Sequence, residues 1–280
     1  MTERLGEVLA RIDNVRQLDA VVTAMRGIAA ARARQSRELL VGIEAYAEAI
    51  SRAIGQALSL LPPDCLHVAD NPQRRALILF CAEQGFAGAY NDRILNVAGE
   101  TGGTQLMVVG TRGAAIVRER GLTPEWTAAM ASQIGGVPAV ANHIADALYV
   151  GIAEGSVQRA EMIFARANSE HDIRIESTPL FPLDLKRFRV LKGATPPLIN
   201  LEPQFLVERL AAEYIYARLC EAAMQSFAAE NEARMMVMAS ASNNIDRMLR
   251  TLEQQRNQVR QEEVTAEIVE LSAGVEAARR

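Results

Sequence analysis

The sequence predicts an α/β protein in which two long terminal helices form an antiparallel coiled coil, with a small α/β domain inserted between them. Residues 2–61 and 204–280 lack proline, and the first of these segments is rich in Ala, Arg, Leu and Glu, which favour helices. The middle of the chain instead alternates short apolar runs with amphipathic segments, as strands and helices do in turn. These observations divide the chain into residues 1–61, 74–195 and 203–280.

The first zone predicts one uninterrupted helix. Its apolar residues recur at steps of three and four, which places them on one helical face. At ~1.5 Å per residue the helix reaches roughly 85 Å before Pro62 and Pro63 end it. The residues of this face are Val8, Ile12, Val15, Leu18, Val22, Met25 and Ala29.

The second zone predicts a small Rossmann-like domain, with a parallel or mixed sheet and helices on its faces. Short apolar runs mark the strands, and segments of helical periodicity separate them. The segments LFPLD (180–184) and GATPPLINLEP (193–203) are expected to be loops. The predicted elements are a strand at Leu77–Phe80, a helix at Asn91–Val97, a strand ending at Gly110, a helix ending at Gly121, a helix within 140–155 and a strand within 159–168.

The third zone predicts a helix of roughly 110 Å, and a helix of this length requires a packing partner. The N-terminal helix is the partner within the chain. Arg256 and Glu263 interrupt the apolar seam, so the packing there is not purely apolar, and we expect the end of this helix to project alone. The seam is Met238, Ser242, Ile245, Leu249, Leu252, Arg256, Val259 and Glu263, and a second apolar row is Val264, Ile268, Leu271 and Val275.

The loop EQGFAGAYN (83–91) follows a predicted buried strand and precedes a predicted helix, which is the layout of a phosphate-binding loop. No Lys-Ser or Lys-Thr pair follows its second glycine, and Gly85 and Gly88 do not form the GxGxxG pattern. We therefore expect the loop to bind no nucleotide. Its glycines would allow a tight turn, and Asn91 would cap the following helix.

Composition and motifs argue against several functions. The net charge of −4 disfavours nucleic-acid binding. Three dispersed cysteines indicate structural thiols in a reducing compartment, and three dispersed histidines predict no metal site. Glu83 and Asp92 flank a turn, where carboxylates are usually solvated, and no nucleophile or HExxH motif occurs. No catalytic residue and no cofactor are expected.

Without a visible signal peptide or a membrane-length apolar run, we expect the chain to remain in the cytoplasm unless it docks elsewhere.

Four segments resemble the gamma subunit of the F-type ATP synthases. The most specific match is C-terminal, where that family carries the pattern Arg-Gln-x-x-Ile-Thr-x-Glu-Ile-x-Glu-Ile-x-x-Gly-Ala. The family's first helix, its Asp-Arg-Gly-Leu-Cys-Gly-Gly-x-Asn loop and its Val-Val-Gly-Lys-Lys-Gly segment are matched as well. The matching segments, in chain order, are RIDNVRQLDAVVTAMRGIAAARAR (11–34), EQGFAGAYN (83–91), VVGTRGAAIVRERG (108–121) and RQEEVTAEIVELSAGVEA (260–277).

The resemblance implies a central rotor shaft, present once per complex, at the cytoplasmic side of a bacterial inner membrane. Its partners would be the alpha and beta subunits of the catalytic hexamer, the epsilon subunit and the ring of c subunits. Matching positions imply that Met25 and Arg26 face the beta subunit and that C-terminal residues touch the surrounding ring. The C-terminal residues carried over are Arg234, Arg260, Gln261, Thr265 and Glu267.

Two other interpretations remain open at this stage. A nucleotide-binding α/β enzyme with helical arms would bind nucleotide by itself, although the phosphate-binding motifs are missing. A coiled-coil scaffold or adaptor would form a stable homodimer, although a generic coil does not require the spacing of Thr265, Glu267, Glu270 and Gly274.

Overall fold

A computed structural model describes residues 2–61, 74–99, 103–168, 172–188 and 198–278. The chain divides into two compact units, each described here by itself. Met1–Ile28 and Met235–Arg280 form the first, which we call the coil unit. Ala29–Arg234 forms the second, which we call the sheet unit.

The predicted terminal helices are present. Helix α1 spans Thr2–Leu58 and helix α5 spans Pro203–Ala278. After α1 the backbone makes a tight turn, in which Leu60 N donates to Ala57 O at 3.0 Å. The fold class predicted from the sequence is therefore confirmed, with long N- and C-terminal helices and a central mixed sheet.

In the coil unit the two helices run antiparallel. Arg4 pairs with Glu262 at 3.4 Å and Arg16 pairs with Glu253 at 3.5 Å, so residue numbers rise along one helix as they fall along the other. All four side chains are largely exposed, and such pairs contribute at most about 1 kcal/mol each. Packing therefore provides most of the stability of the coil.

An apolar cluster holds the two helices together. Val22 on α1 packs with Met238 and Ile245 on α5, and all three are less than one-tenth exposed. Every residue of the predicted α5 seam is buried or half-buried, which confirms that seam. Five further residues border the cluster and are partly buried: Val15, Met25, Val237, Ala241 and Leu249.

The assignment of one residue, Leu18, to the buried face of α1 is wrong. Leu18 is 51% exposed, and its neighbour Asp19 lies half-buried in its place. The cause is the coiled-coil repeat of 3.5 residues, for which steps of three and four must alternate. From Ile12 to Val15 to Asp19 they do alternate, whereas a second step of three to Leu18 rotates the side chain away from α5.

The sheet unit contains one five-stranded sheet in the order β3-β2-β1-β4-β5. The first four strands of this order run parallel, and β5 pairs antiparallel with β4. Parallel strands covered on both faces are largely buried, and β1 is an example, since all its residues after Arg75 are buried. The strands are β1 Arg75–Phe80, β2 Thr104–Val109, β3 Trp126–Ala128, β4 Arg159–Ala167 and β5 Ile173–Phe181.

Three helices follow the parallel strands, and all three were predicted. They are α2 Tyr90–Ala98, α3 Thr111–Glu119 and α4 Val137–Ala153. Short 3-10 turns occur at Ile134–Gly136 and Leu185–Arg187.

Strands β3 and β5 were not predicted. The assignment of LFPLD as a loop is partly wrong, because Leu180 and Phe181 belong to β5. The loop predicted at 193–203 lies partly outside the described residues.

The main core of the sheet unit lies on one face of the sheet. Ala76, Ile78 and Phe80 of β1 point to this face and are fully buried. Apolar residues of α4 and of α5 between Ile215 and Phe227 complete the cluster.

Buried acidic residues on α5 are paired with arginines of other elements of the sheet unit. Glu232 is 2.9 Å from Arg37 of α1, and Glu221 is 3.2 Å from Arg166 of β4. Arg166 also pairs with Glu176 of β5 at 2.9 Å. These pairs compensate the buried carboxylates and connect α5 with α1 and with β4.

Candidate functional site

In a sheet of this order the strand order reverses between β1 and β4, so a nucleotide would bind at the carboxyl end of β1. The loop after β1 donates two backbone N–H groups there. Glu83 N and Gln84 N each donate to a carboxylate oxygen of Glu230 on α5, at 3.2 and 3.3 Å. Arg234 pairs with Glu230 and donates to Gly85 O at 3.2 Å. The backbone N–H groups of Glu83 and Gln84 are thus hydrogen-bonded to a side chain of α5.

A second carboxylate lies at the N-terminus of α3, the other position at which a phosphate would bind. The Glu83 side chain accepts from Thr111 N at 2.9 Å, from Thr111 Oγ1 at 2.7 Å and from Met130 N at 2.7 Å. Asp92 instead pairs with Arg120. Glu83 and Asp92 therefore have separate partners, and this geometry disfavours both a carboxylate pair and a nucleotide-binding enzyme.

The loop itself is strained at one residue. Phe86 has φ 62°, a conformation unusual for a residue other than glycine, and its side chain is 65% exposed. Such strain persists only where surrounding contacts fix the backbone, and the bonds from Arg234 and Glu230 to residues 83–85 do so. Gly88, with φ 58°, supplies the second left-handed position of the turn.

The predicted capping role of Asn91 is wrong. Helix α2 begins one residue earlier, at Tyr90, and its N-cap residue Ala89 makes no side-chain bond. Asn91 is buried, and its Oδ1 accepts from Ala82 N at 2.8 Å. The amide side chain thus satisfies the backbone directly after β1, since the parallel ladder ends there.

The thiol next to this loop, that of Cys81, is buried. Burial, with a smaller contribution from Glu230, raises the pKa of Cys81 to about 12. Only the thiolate is nucleophilic, so we expect iodoacetamide at pH 8 to leave Cys81 unmodified in the folded chain and to alkylate it after unfolding. The folded chain should also lose stability as the pH rises from about 9 to about 12, because only the unfolded thiol ionises in that range. Mass spectrometry of the alkylated peptides tests the labelling prediction, and rapid labelling of Cys81 in the folded chain would contradict it.

The predicted contact residues on α1 and at position 234 differ in exposure. Arg26 is exposed on α1, whereas Met25 is half-buried beside the apolar cluster of the coil unit. Arg234 is 5% exposed, and its guanidinium bonds to groups of the sheet unit. Contact of these residues with another subunit stays a prediction.

The predicted contact residues near the end of α5 are all exposed. Arg260, Gln261, Thr265 and Glu267 recur at short helical spacings, which places them on one broad side of the helix. Thr265 Oγ1 donates to Gln261 O at 2.8 Å, within the same helix. Their side chains are available to a partner, and that contact also stays a prediction.

The coil unit also exposes apolar side chains. Leu18, Val21 and Ile28 on α1 are each about half exposed, and Met25 lies between them on the same row. On α5 the predicted second row is exposed as well. Sequence reasoning missed the α1 row, although its steps of three and four could have indicated it. The exposed row on α5 is Val264 at 48%, Ile268 at 58%, Leu271 at 66% and Val275 at 59%.

No group of three or more His, Cys, Asp or Glu side chains is placed to hold a metal ion in the part of the chain that the structure describes. Among the helices described, none is both long and apolar enough to cross a membrane.

The chain is similar to known proteins along nearly its whole length. A family model described as ATP synthase matches residues 4–278. A relative from Streptomyces coelicolor, an ATP synthase gamma chain, is 30% identical and is aligned over 95% of this chain and 93% of its own. A gamma chain from Beutenbergia cavernae is 28% identical, with 95% of both chains covered.

Solved structures share the fold. A chain of the Euglena gracilis mitochondrial ATP synthase, in a structure of OSCP/F1/c-ring, covers 99% of this chain and 95% of its own, with a TM-score of 0.65 and 14% identity. A chain of the rotor from the same organism covers 94% of this chain and 100% of its own, with a TM-score of 0.63 and 15% identity. At these identities the likeness concerns the fold.

The family match, the bacterial relatives and the arrangement of helices around an inserted sheet agree with one another. They confirm the resemblance predicted from the sequence and, with it, the predicted function in ATP synthesis. The chain belongs to the ATP synthase family, among its gamma chains.

Proposed function

We propose that this gamma chain works as the central rotor shaft of an F-type ATP synthase, with the coil unit inside a ring of alternating alpha and beta subunits. The observation that carries the proposal is the exposed apolar surface of the coil unit. Contiguous apolar rows on a two-helix coil require a partner that covers them. A surrounding ring would cover them while leaving the coil free to turn.

The shaft would act through its asymmetry. Two helices with different side chains on each side present a different surface to each of three equivalent catalytic subunits. Each subunit is then held in a different conformation, and rotation exchanges the conformations in turn. Shifting a site from mostly closed to mostly open requires roughly 5.5 kcal/mol of differential binding free energy. Many contacts along the coil would share this amount.

The exposed polar residues would supply the directional part of these contacts. Arg26 would pair with acidic residues of the beta subunit, since a guanidinium forms forked bonds to carboxylates. Arg260, Gln261, Thr265 and Glu267 would contact the ring from α5. For Met25 and Arg234 the same contact is proposed from the family match alone, because both side chains pack within the chain.

The remaining partners would be the epsilon subunit and the ring of c subunits, both bound through the sheet unit. The chain would be present once per complex. It would work as a peripheral protein on the cytoplasmic side of the bacterial inner membrane, in keeping with its bacterial relatives.

Reversing the charge of Arg26 tests the proposed contact. In Arg26→Glu we expect proton-driven ATP synthesis by reconstituted complex to fall roughly tenfold, because a charge-assisted bond of about 1.5–3 kcal/mol is replaced by repulsion. The stability of the isolated chain should not change, since Arg26 is exposed.

Arg26→Lys is the matched control, because lysine keeps the positive charge and loses only the paired hydrogen bonds of the guanidinium group. It should retain most of the synthesis rate. Unchanged synthesis in Arg26→Glu would refute the contact assigned to Arg26.

A further inference from the structure

The sheet unit contains an open groove of about 450 Å³ between α1, the start of α4 and α5. We propose that this groove binds a small amphipathic cation, whose apolar body lies against the groove walls and whose ammonium group pairs with Glu213 at the rim. This inference goes beyond the rotor function and is independent of it.

The walls of the groove are almost entirely apolar. Helix α1 contributes Leu39 and Gly42, and α5 contributes Met224, which is only 3% exposed. The turn at Ile134–Gly136 lies on the third side. Ligand pockets typically enclose about 300–1,000 Å³ and combine apolar walls with a few polar groups. The size therefore suits a small organic molecule better than a protein partner, which covers about 800 Å² on each side of an interface.

A carboxylate lies beside the groove, at its rim. Tyr46 lines the groove, and its hydroxyl donates to Glu213 Oε1. Tyr216, less than one turn along α5 from Glu213, also lines the groove. The bond from Tyr46 occupies one of the two carboxylate oxygens, and the Glu213 side chain remains exposed. A ligand in the groove can therefore reach this carboxylate.

The chain does not supply a cation for Glu213 from its described residues. The two arginines that flank Glu213 on α5 have other partners. The guanidinium of Arg209 lies over the ring of Phe205, 5.0 Å from its centroid, and Arg218 pairs with Glu221. The negative charge at the rim is thus available to a positively charged ligand.

Tyrosine rings beside the carboxylate favour a cation further. The hydrogen bond to Glu213, together with burial, raises the pKa of Tyr46 to about 12. Burial, the Cys220 thiol and Glu213 raise the pKa of Tyr216 to about 12. Both phenols stay uncharged near pH 7, and a neutral tyrosine ring attracts a cation that lies over its face. An anion would be repelled by Glu213, and a neutral ligand would lack the ion pair.

The test compares three ligands that share a phenylbutyl body: 4-phenylbutylamine, 4-phenyl-1-butanol and 4-phenylbutyrate. Each is titrated into the full-length chain with isotope-labelled methionine methyl groups, and the Met224 resonance, assigned through Met224→Leu, reports on the groove. We expect the amine to shift this resonance with a dissociation constant on the order of 1 mM, as for other ligands of this size. The alcohol should bind roughly tenfold more weakly, because it lacks the charge-assisted bond, and the carboxylate should cause no shift in the same range.

Two variants locate the ligand. Glu213→Gln keeps the size of the side chain and removes its charge, so the amine should bind roughly tenfold more weakly and the alcohol should not change. Gly42→Leu fills the groove and should abolish binding of the amine. A Cβ at Gly42 has nothing within 4 Å, so the fold accommodates the larger side chain. Glu119→Gln and Gly27→Leu are the matched controls, since they make the same changes at exposed positions outside the groove.

The proposal is overturned if the amine leaves the Met224 resonance unmoved at tens of millimolar. It is also overturned if the three ligands shift the resonance equally, or if Gly42→Leu binds the amine as the wild type does. A Met224 resonance that moves with protein concentration alone would place a second copy of the chain on the groove, and that result would overturn the proposal too.

Discussion

Replacing Ile245 with aspartate is expected to open the coil unit and abolish ATP synthesis. Ile245 is 5% exposed and packs with Val22 and Met238 in the cluster that joins α1 to α5. An aspartate there would bury an uncompensated charge and remove the apolar contacts of isoleucine. The expected loss is roughly 3–5 kcal/mol, a large share of the stability of a small two-helix unit.

Hydrogen exchange with mass spectrometry on the full-length chain measures this effect locally. In Ile245→Asp, protection of backbone amides should fall along residues 8–25 and 238–252, while β1 and β4 keep theirs. Met248→Asp is the matched control, because Met248 lies less than one turn away and is 52% exposed. Wild-type protection in Ile245→Asp would show that the cluster does not hold the coil.

Adding one methyl group at Gly113 is expected to destabilise the sheet unit by about 3 kcal/mol. A Cβ atom at this position would lie 2.0 Å from Cys81 Cβ and 2.9 Å from Cys81 Sγ. Helix α3 approaches the end of β1 this closely because Gly113 N donates to Ala82 O at 3.1 Å. Neither backbone can move without breaking that bond, so the overlap cannot be relieved cheaply.

A second substitution tests the cause. In Cys81→Gly combined with Gly113→Ala, the clashing Cβ is removed, and much of the lost stability should return relative to Gly113→Ala alone. Gly27→Ala is the control for the chemical change itself. Nothing lies within 4 Å of a Cβ at Gly27, so alanine should stabilise α1 by about 1 kcal/mol. Chemical denaturation of the wild type and the three variants gives the comparison, and a Gly113→Ala chain as stable as the wild type would refute the close approach.

The sequence predicts the parts of the fold that local pattern determines. Long proline-free segments with apolar residues at steps of three and four gave α1 and α5, and the apolar run at Leu77–Phe80 gave β1. Strand β5 was not predicted because it lies at the edge of the sheet, carries alternating polar residues and contains Pro179. Leu18 was placed on the wrong face because local spacing does not show which of two neighbouring residues faces a partner helix.

The candidate site depends on contacts that no local pattern contains. The sequence indicates that the loop after β1 lacks the residues of a nucleotide site, but not what occupies the loop. Glu230 is 147 residues from Glu83, and their bond follows only from the packing of α5 against the sheet. Arg234 illustrates the same point, since a residue assigned by family resemblance to a partner contact is buried against Gly85 in the folded chain. The exposure of Arg26 and of the C-terminal residues, by contrast, fits their assignment.

As a rotor shaft, one copy of this chain would work inside a hexamer that binds the nucleotides. Native mass spectrometry of the complex, extracted gently from membranes through a tag on this chain, measures the copy number. We expect a particle that hydrolyses ATP and contains one copy of this chain for three alpha and three beta subunits. A homodimer without other subunits, or a chain that binds ATP alone, would contradict it.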